Sequence, residues 1–172
     1  MLSDSLLGLE ELIARTPGLL ARLSIASYVQ LKAQRILFDY FDSEDEDQAD
    51  LLRPFFVLEE ADLQYQLINE QELIGLCAID MTYTEAVNDP DDHKGSKLHF
   101  LDFVGDMIQS IADRQNKPIA GQDVTTYIAI SSIQQIQKAV RTPKVQRDAD
   151  RPATDNWWCK YRFHIGDLRG AG

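Results

Sequence analysis

Residues 155–167, DNWWCKYRFHIGD, alternate between apolar and polar side chains along almost their whole length. Successive side chains of a β-strand point to opposite faces of the sheet, so this pattern predicts a strand with two unlike faces. The apolar face would hold Trp157, Cys159, Tyr161, Phe163 and Ile165. The opposite face would be aromatic and basic, and it supplies the candidate interface residues Trp158, Lys160, Arg162 and His164.

The chain begins with the pattern of a short amphipathic helix. Residues 3–15 repeat leucine and isoleucine at helical intervals after Ser3 and Asp4, either of which can cap a helix. Pro17 and Gly18 then predict an interruption, because proline blocks simple continuation and glycine permits a turn. An N-terminal helix that ends before this turn is therefore expected.

A second and more regular helical pattern covers residues 98–116. Its apolar spacing predicts a helix with one buried stripe, and Asn116 and Pro118 would end it. The predicted stripe consists of Leu101, Val104, Ile108 and Ile111, widened by Phe100, Phe103 and Met107.

Other segments have the features of strands. Residues 19–41 fit either one long helix or a helix followed by a strand, and the alternation in RILFDYF favours the strand. The remaining predicted strands are 53–60, 63–68, 72–86 and 123–136, with a hairpin across NEQE. Runs of strands with segregated helices predict the α+β class. We expect a mainly antiparallel sheet, covered on one face by the amphipathic helix, with an N-terminal helix.

The polar segments predict loops within a single α+β domain that spans residues 1–172. The stretch 42–50, DSEDEDQAD, holds about half of the net charge and predicts a solvated loop that folding does not require. It lacks the central glycine and the flanking helices of an EF-hand, so we do not expect it to bind calcium. Further predicted loops are 87–97, a polar and partly basic connection at 137–156, and a loose C-terminal tail at 166–172.

The net charge of -11 argues against nucleic acid or an anionic membrane as a binding partner, since both attract basic surfaces. DNA passing close to such a surface would not adhere to it. Neither a basic leader nor an apolar run of about 20 residues is visible, so we expect no signal peptide and no membrane span. Cys77 and Cys159 are expected to be buried free thiols in a reducing compartment.

No catalytic, cofactor-binding or metal-binding motif is recognisable, and we predict that the chain is not an enzyme. The three histidines are expected to be ordinary surface or boundary residues: His93, His99 and His164. The nearest approach to a catalytic pattern is Asp92 and Lys94 with Asp80, since Mg²⁺-dependent nucleases hold their metal with an acid and an acid-x-Lys pair. The predicted loop around Asp92 and the acidic net charge both argue against that activity.

Four segments together resemble the tail terminator, or tail-completion, proteins of tailed bacteriophages. They are RPFFVLEE, the strand ELIGLCAIDMTYTEA, the helix KLHFLDFVGDMIQSIADRQ and the closing strand DNWWCKYRFHIGD. The likeness lies in the order and pattern of elements across residues 53–167. The acidic stretch 42–50 and the basic segment 141–151 have no counterpart in it.

The resemblance implies a structural protein of the virion tail, made in the host cytoplasm, without catalysis or a cofactor. Its copies would form a ring, usually a hexamer, that stops growth of the tail tube and joins it to the head connector. The implied partners are the chain itself, the tail-tube protein and the connector protein, with DNA only passing through the channel and no membrane.

The residues leave two questions open. In a ring, Trp158, Lys160, Arg162 and His164 would meet an acidic neighbouring subunit or tube protein, whereas on an isolated chain Trp158 and Arg162 would merely cover each other on a solvated face. The alternative function is a small acidic adaptor or immunity-type protein that binds a basic partner, because opposite charges steer such pairs together.

Overall fold

The computed structural model describes residues 2–39, 55–70, 72–115, 128–142 and 155–166. Three predicted features lie wholly or largely outside these residues. They are the acidic stretch 42–50, residues 143–154 of the predicted connection, and residues 167–172 of the predicted tail.

The described residues form four helices and five strands. The helices are α1 (Leu2–Ala14), α2 (Leu19–Arg22), α3 (Tyr28–Arg35) and α4 (His93–Arg114). The strands are β1 (Ile36–Phe38), β2 (Phe55–Asn69), β3 (Glu72–Ala86), β4 (Ala129–Thr142) and β5 (Asn156–Gly166). The sequence predicts the coarse order of these elements, which is helix, several strands, helix and two strands.

The five strands form one sheet in the order β1-β2-β3-β5-β4. The short β1 runs parallel to β2, and every other neighbouring pair is antiparallel. The predicted α+β class with an N-terminal helix is therefore confirmed. The central pair is in continuous register, with Ile79 opposite Phe163 and Asp80 opposite Arg162. Odd-numbered residues of β3 and β5 thus share one face, and even-numbered residues share the other.

One face of the sheet packs against the helices, and we call it the helix face. Its buried side chains include Met81 and Tyr83 of β3 and Phe163 of β5, in one cluster with Leu9 of α1 and Phe100 of α4. Each of the four helices contributes a buried apolar side chain to this cluster. The opposite surface of the sheet, which we call the second face, has the buried Val57, and this residue is not part of that cluster.

The N-terminal turn follows from its sequence. Helix α1 ends at Ala14, before Pro17, and the next helix starts after Gly18. Gly18 has a φ of 78°, in the left-handed region that costs glycine little and other residues more. The strand predicted in RILFDYF stops at Phe38, because Asp39 adopts a φ of 69°.

Helix α4 begins five residues before its predicted start. Asp92 caps it by accepting a hydrogen bond from the Gly95 backbone N–H at 2.9 Å. A Cβ atom on Gly95 would lie 2.1 Å from the Asp92 carboxylate, so the absence of a side chain permits this close cap. The predicted loop 87–97 is therefore wrong from His93 onward, because the polar first turn of α4 carries no apolar periodicity.

The buried stripe of α4 is rotated from the predicted one. Phe100, Val104, Met107 and Ile111 are buried, whereas Leu101 is 38% exposed and Ile108 is only partly buried. Leu101 was therefore wrongly placed in the core. Residues 100, 104, 107 and 111 repeat at intervals of four and three, which is equally regular, so spacing alone did not decide between the two stripes.

This rotation predicts unequal effects for two substitutions in one helix. Met107→Ala should lower the free energy of unfolding by about 2 to 4 kcal/mol, because it leaves a cavity in a closed core. Leu101→Ala should cost less than about 1 kcal/mol at its exposed site. Urea denaturation of both variants measures the difference, and a larger loss for Leu101→Ala would contradict the observed stripe.

Strand β4 ends later than predicted. It covers Ala129–Thr142, whereas the predicted strand ended at 136, and residues 123–127 of the prediction lie outside the described part of the chain. Residues 137–142 belong to the strand, so their assignment to a connection was wrong. Register shifts at three points along its pairing with β5 interrupt the two-residue alternation that identifies a strand. The bulge between Glu60 and Asp62 likewise divided β2 into two predicted strands.

Candidate interaction surface

The closing strand β5 separates its side chains as its alternation predicts. Trp157, Cys159, Phe163 and Ile165 are buried on the helix face, and Tyr161 is partly buried there. Trp158, Lys160, Arg162 and His164 lie on the second face with intermediate exposure. These four side chains form a row along β5, which we call the β5 row.

The β5 row lies beside even-numbered residues of β3. Trp158 is opposite Thr84, Lys160 opposite Thr82, Arg162 opposite Asp80, and His164 opposite Ala78. Cross-strand neighbours at this spacing are close enough for their side chains to interact. The second face therefore carries a mixed aromatic, basic and acidic surface instead of a purely basic one.

The two cations of the β5 row already have acidic neighbours within the chain. Arg162 donates from Nε to Asp80 Oδ1 at 2.8 Å and from Nη2 to Asp80 Oδ2 at 3.1 Å. Lys160 Nζ lies 3.8 Å from Glu59 Oε2 and 4.0 Å from Asp80 Oδ2. A bidentate pair of this kind fixes the plane of the guanidinium, so Arg162 is presented in a defined orientation on the second face.

A groove opens on the second face at the His164 end of the β5 row. It has a volume of about 450 Å³ and is lined in part by Asp62, Ala78, Ser132 and His164. Both apolar and polar atoms line it. The groove and the β5 row together form one continuous candidate surface for contact with a partner.

An ion pair on the helix face, between Arg22 and Glu85, was not predicted from the sequence. Arg22 donates to the Glu85 carboxylate from Nε at 2.6 Å and from Nη2 at 2.5 Å. Tyr83 donates its hydroxyl to the same carboxylate at 2.5 Å, and the Arg22 guanidinium lies 4.2 Å from the centre of the Phe103 ring. Burial and the neighbouring Glu85 raise the pKa of Tyr83 well above its ordinary value.

This ion pair is a structural element of the core. Every strong hydrogen-bonding group in it has a partner, as buried charges require. It connects α2 to the end of β3, and His99 of α4 lies against the same guanidinium. The only sequence signal was Glu85 at an odd-numbered position in β3, where its neighbours on that face are apolar.

The residues considered for a nuclease site have structural roles instead. Asp80 is paired with Arg162 on the second face, and Asp92 caps α4. His93 and His99 both lie on α4, which corrects their predicted placement across a junction of loop and helix. Within the described residues, no group of three or more His, Cys, Asp and Glu side chains is arranged to hold a metal ion.

Both cysteines are buried free thiols, as expected from the sequence. Burial, with a further contribution from Glu85, raises the pKa of Cys159 to about 12. At pH 8 its thiolate fraction is then roughly one in ten thousand, which makes the native thiol a poor nucleophile.

A membrane span would need a longer apolar helix than any that the described residues form.

The Cys159 thiol should therefore resist alkylation in the folded protein. Iodoacetamide at pH 8 is expected to modify Cys159 in urea but not in the native state, as peptide mass mapping would detect. Since the unfolded thiol ionises near pH 8.5, unfolding releases a proton between about pH 8.5 and 12, and the stability contributed by this thiol falls as pH rises through that range. Rapid native modification would contradict the buried position.

No protein-family model matches this chain, and a search of curated proteins finds no match either. Support for any function must therefore come from the fold and from the surface just described. The resemblance stated above rests on the order and pattern of the elements.

Proposed function

We propose that this chain is a non-enzymatic structural protein of a bacteriophage tail. Copies of it would form a ring, a hexamer by the resemblance, that ends the tail tube and joins it to the head connector. The observation that carries the proposal is the division of the sheet, whose helix face is filled by α1 to α4 while the partly exposed β5 row and its groove lie on the second face. A protein that acts by assembly needs such a surface, and catalytic groups are not required for it.

The composition of the second face favours contact with protein. Trp158 and Arg162 belong to the residue types that are enriched in the energetically important centres of interfaces. Asp80 holds Arg162 in place before a partner arrives, which lowers the entropy lost on binding. The acidic neighbour expected from sequence is not needed to neutralise Lys160 or Arg162, so a tube protein of mixed polarity also fits this surface.

The net charge of -11 suits a ring through which DNA passes. Acidic side chains repel phosphate, so DNA crossing such a channel would be guided without being held. DNA is accordingly a passing neighbour in this proposal, while the tail-tube and connector proteins are its binding partners. The chain would be made in the host cytoplasm and would end in the virion tail.

Tube elongation in vitro tests this proposal. Tail-tube protein from the same phage would be polymerised with and without the chain, and tube lengths would be measured by electron microscopy. We expect the chain to shorten the tubes and to be found at their ends. We expect Trp158→Ala to weaken this capping about tenfold, the effect of removing one interface hot spot of about 1.4 kcal/mol.

A control variant separates contact from general damage to the fold. Leu101→Ala removes a partly exposed apolar side chain from α4 and should leave capping unchanged. Tubes that grow to the same length with and without the wild-type chain would contradict the proposal. Equal capping by Trp158→Ala and wild type would remove the β5 row from the interface.

The alternative is a small acidic adaptor or immunity-type protein. It is favoured by the acidic charge of the β2–β3 hairpin, where residues 59–72 contain five acids and no basic residue. Such a surface would attract a basic enzyme or a basic peptide. A stable heterodimer with one basic protein, together with failure to act on tubes, would favour this function over the structural one.

A further inference from the structure

The groove on the second face is built around one small residue. A single row of cross-strand partners crosses β2, β3, β5 and β4 in that order: Asp62, Ala78, His164 and Ser132. Directly opposed residues of antiparallel strands point to the same face, and all four line the groove. Ala78 is only 3% exposed, whereas Asp62 and Ser132 are exposed. The short Ala78 side chain therefore forms the floor, and larger side chains rise on both sides of it.

A bulge in β2 places an acid at this groove. Glu60 is opposite Ile79, but the next paired residue of β2 is Asp62, which is opposite Ala78. An extra residue in one strand changes the face to which the following side chains point. Without the bulge, Ala61 would stand opposite Ala78, and Asp62 would lie on the other face of the sheet. The irregularity in β2 thus brings the Asp62 carboxylate to the rim of the groove.

The acids beside Asp62 already have basic partners. Arg162 makes two hydrogen bonds to Asp80, and Lys160 Nζ lies 3.8 Å from Glu59 Oε2. The pKa of Arg162 is raised first by its hydrogen bonds to Asp80, and Asp62 adds the smallest contribution. Within the described residues, no cation forms a salt bridge with Asp62. Asp62 is therefore the acid of this surface whose charge remains without a counter-charge.

The Asp62 carboxylate keeps capacity for a further partner. Its Oδ2 accepts a hydrogen bond from Gln64 Nε2 at 3.0 Å. An ionised carboxylate has about four acceptor positions on its two oxygens, which is enough to bind an ammonium or a guanidinium as well. No other charged side chain lines the groove, apart from a histidine that is neutral in its uncharged form. The electrostatic character of the groove is consequently acidic.

The remaining lining suits the aliphatic part of a long side chain. Leu76, which is 42% exposed, lies at one side of the groove, and Ala78 forms its floor. Lysine and arginine lay their methylene groups along apolar surface while the charged end stays with polar groups. A groove with an apolar floor and one acid at its rim matches both parts of such a side chain.

We infer that this groove receives a lysine or arginine side chain of the protein that binds the second face, with Asp62 as the counter-charge. This inference rests on the proposed function, because it names the chemistry of the partner at the surface that this function uses. An acidic side chain in the same position is disfavoured, since it would place like charges opposite each other. The partner of the groove is thus basic, although the β5 row beside it carries two cations.

A small probe tests the groove without any partner protein. N-acetyl-argininamide would be titrated into the full chain, and N-acetyl-citrullinamide, which has nearly the same shape and no charge, would be titrated in parallel. We expect the arginine probe to shift the NMR amide resonances of Ala78 and His164 in a saturable manner, and the citrulline probe to leave them in place. Asp62→Asn should raise the dissociation constant of the arginine probe about fivefold.

Glu60→Gln is the matched control. It removes the same charge from the same strand, at an exposed residue opposite Ile79 on the other face. Its affinity for the arginine probe should equal that of the wild type. Thermal melts of both variants would verify that each is folded, as expected for substitutions at exposed positions.

Tube capping then tests the same residue against a partner protein. With tail-tube protein from the same phage, Asp62→Lys should weaken capping about tenfold, because it places a cation where the partner presents one. Glu60→Lys changes the net charge equally on the other face and should cap as the wild type does.

The outcomes separate this inference from the proposed function. Equal shifts with both probes, or an arginine affinity that Asp62→Asn leaves unchanged, would overturn the site for a basic side chain. Normal capping by Asp62→Lys would overturn its use by the tube protein while the structural function stands. A wild-type chain that binds the arginine probe through Asp62 but never caps tubes would support the basic-side-chain site and overturn the tail function.

Discussion

Replacing Trp157 with alanine is expected to lower the free energy of unfolding by about 3 to 5 kcal/mol. The Trp157 side chain is only 2% exposed, and its ring centre lies 6.1 Å from that of Phe100 and 5.3 Å from that of His93. These contacts join β5 to the first half of α4, so truncation leaves a large cavity between sheet and helix. Urea denaturation followed by tryptophan fluorescence and circular dichroism would measure the loss.

The adjacent residue is the matched control for this prediction. Trp158 is the same residue type in the same strand, but it lies on the second face with intermediate exposure. Trp158→Ala should therefore cost clearly less stability while weakening contact with a partner. A one-residue shift of register would exchange the two roles, so a larger loss for Trp158→Ala would show that the faces are assigned in reverse.

Replacing Glu85 with glutamine is expected to cost about 2 to 4 kcal/mol, because it leaves a largely buried guanidinium, 17% exposed, without its counter-charge. Arg22 makes two hydrogen bonds to this carboxylate, and Tyr83 makes a third. A glutamine amide has one acceptor oxygen and no charge, so it cannot serve all three donors. The loss would be measured as a lower midpoint of urea unfolding.

Two comparisons show whether burial is the cause. Glu59→Gln removes a carboxylate near Lys160 on the second face, where both side chains are partly exposed, and it should cost no more than about 1 kcal/mol. The double variant Arg22→Met with Glu85→Gln should recover part of the loss, since neither charge then remains buried. Equal effects of Glu59→Gln and Glu85→Gln would contradict the structural role of the buried pair.

Sequence reasoning succeeded where the side-chain period was unbroken. Strand β5 pairs with β3 without a register shift, and its alternation correctly separated Trp157 from Trp158. Strand β4 carries three shifts, and it ends six residues later than predicted. A bulge moves the following side chains to the other face. Alternation in the sequence therefore stops identifying the strand beyond that point.

Local capping chemistry accounts for the misplaced start of α4. The first turn of this helix is polar, and an apolar stripe gives no sign of it. The signal was the spacing of Asp92 and Gly95, which places a carboxylate against the backbone N–H three residues later. A cap of this kind identifies a helix start that hydrophobic spacing misses.

Ion pairs between residues that are distant in the chain could not be predicted from local sequence patterns. Arg22 and Glu85 are separated by 63 positions, and Asp80 and Arg162 by 82. Each residue alone predicts a solvated charge, and only the register of β3 with β5 brings Asp80 and Arg162 together. The β5 row was identified from sequence as a set of residues, but the acids that orient its cations became visible only in the fold.

The mass of the native assembly tests the proposed ring most directly. Native mass spectrometry of the full chain, across a range of protein concentrations, would resolve each oligomer from the 19.5 kDa monomer. We predict one closed homo-oligomer, a hexamer by the resemblance, without a ladder of intermediate sizes. A monomer at every concentration, or a one-to-one complex with a single basic protein, would contradict the ring and favour the adaptor.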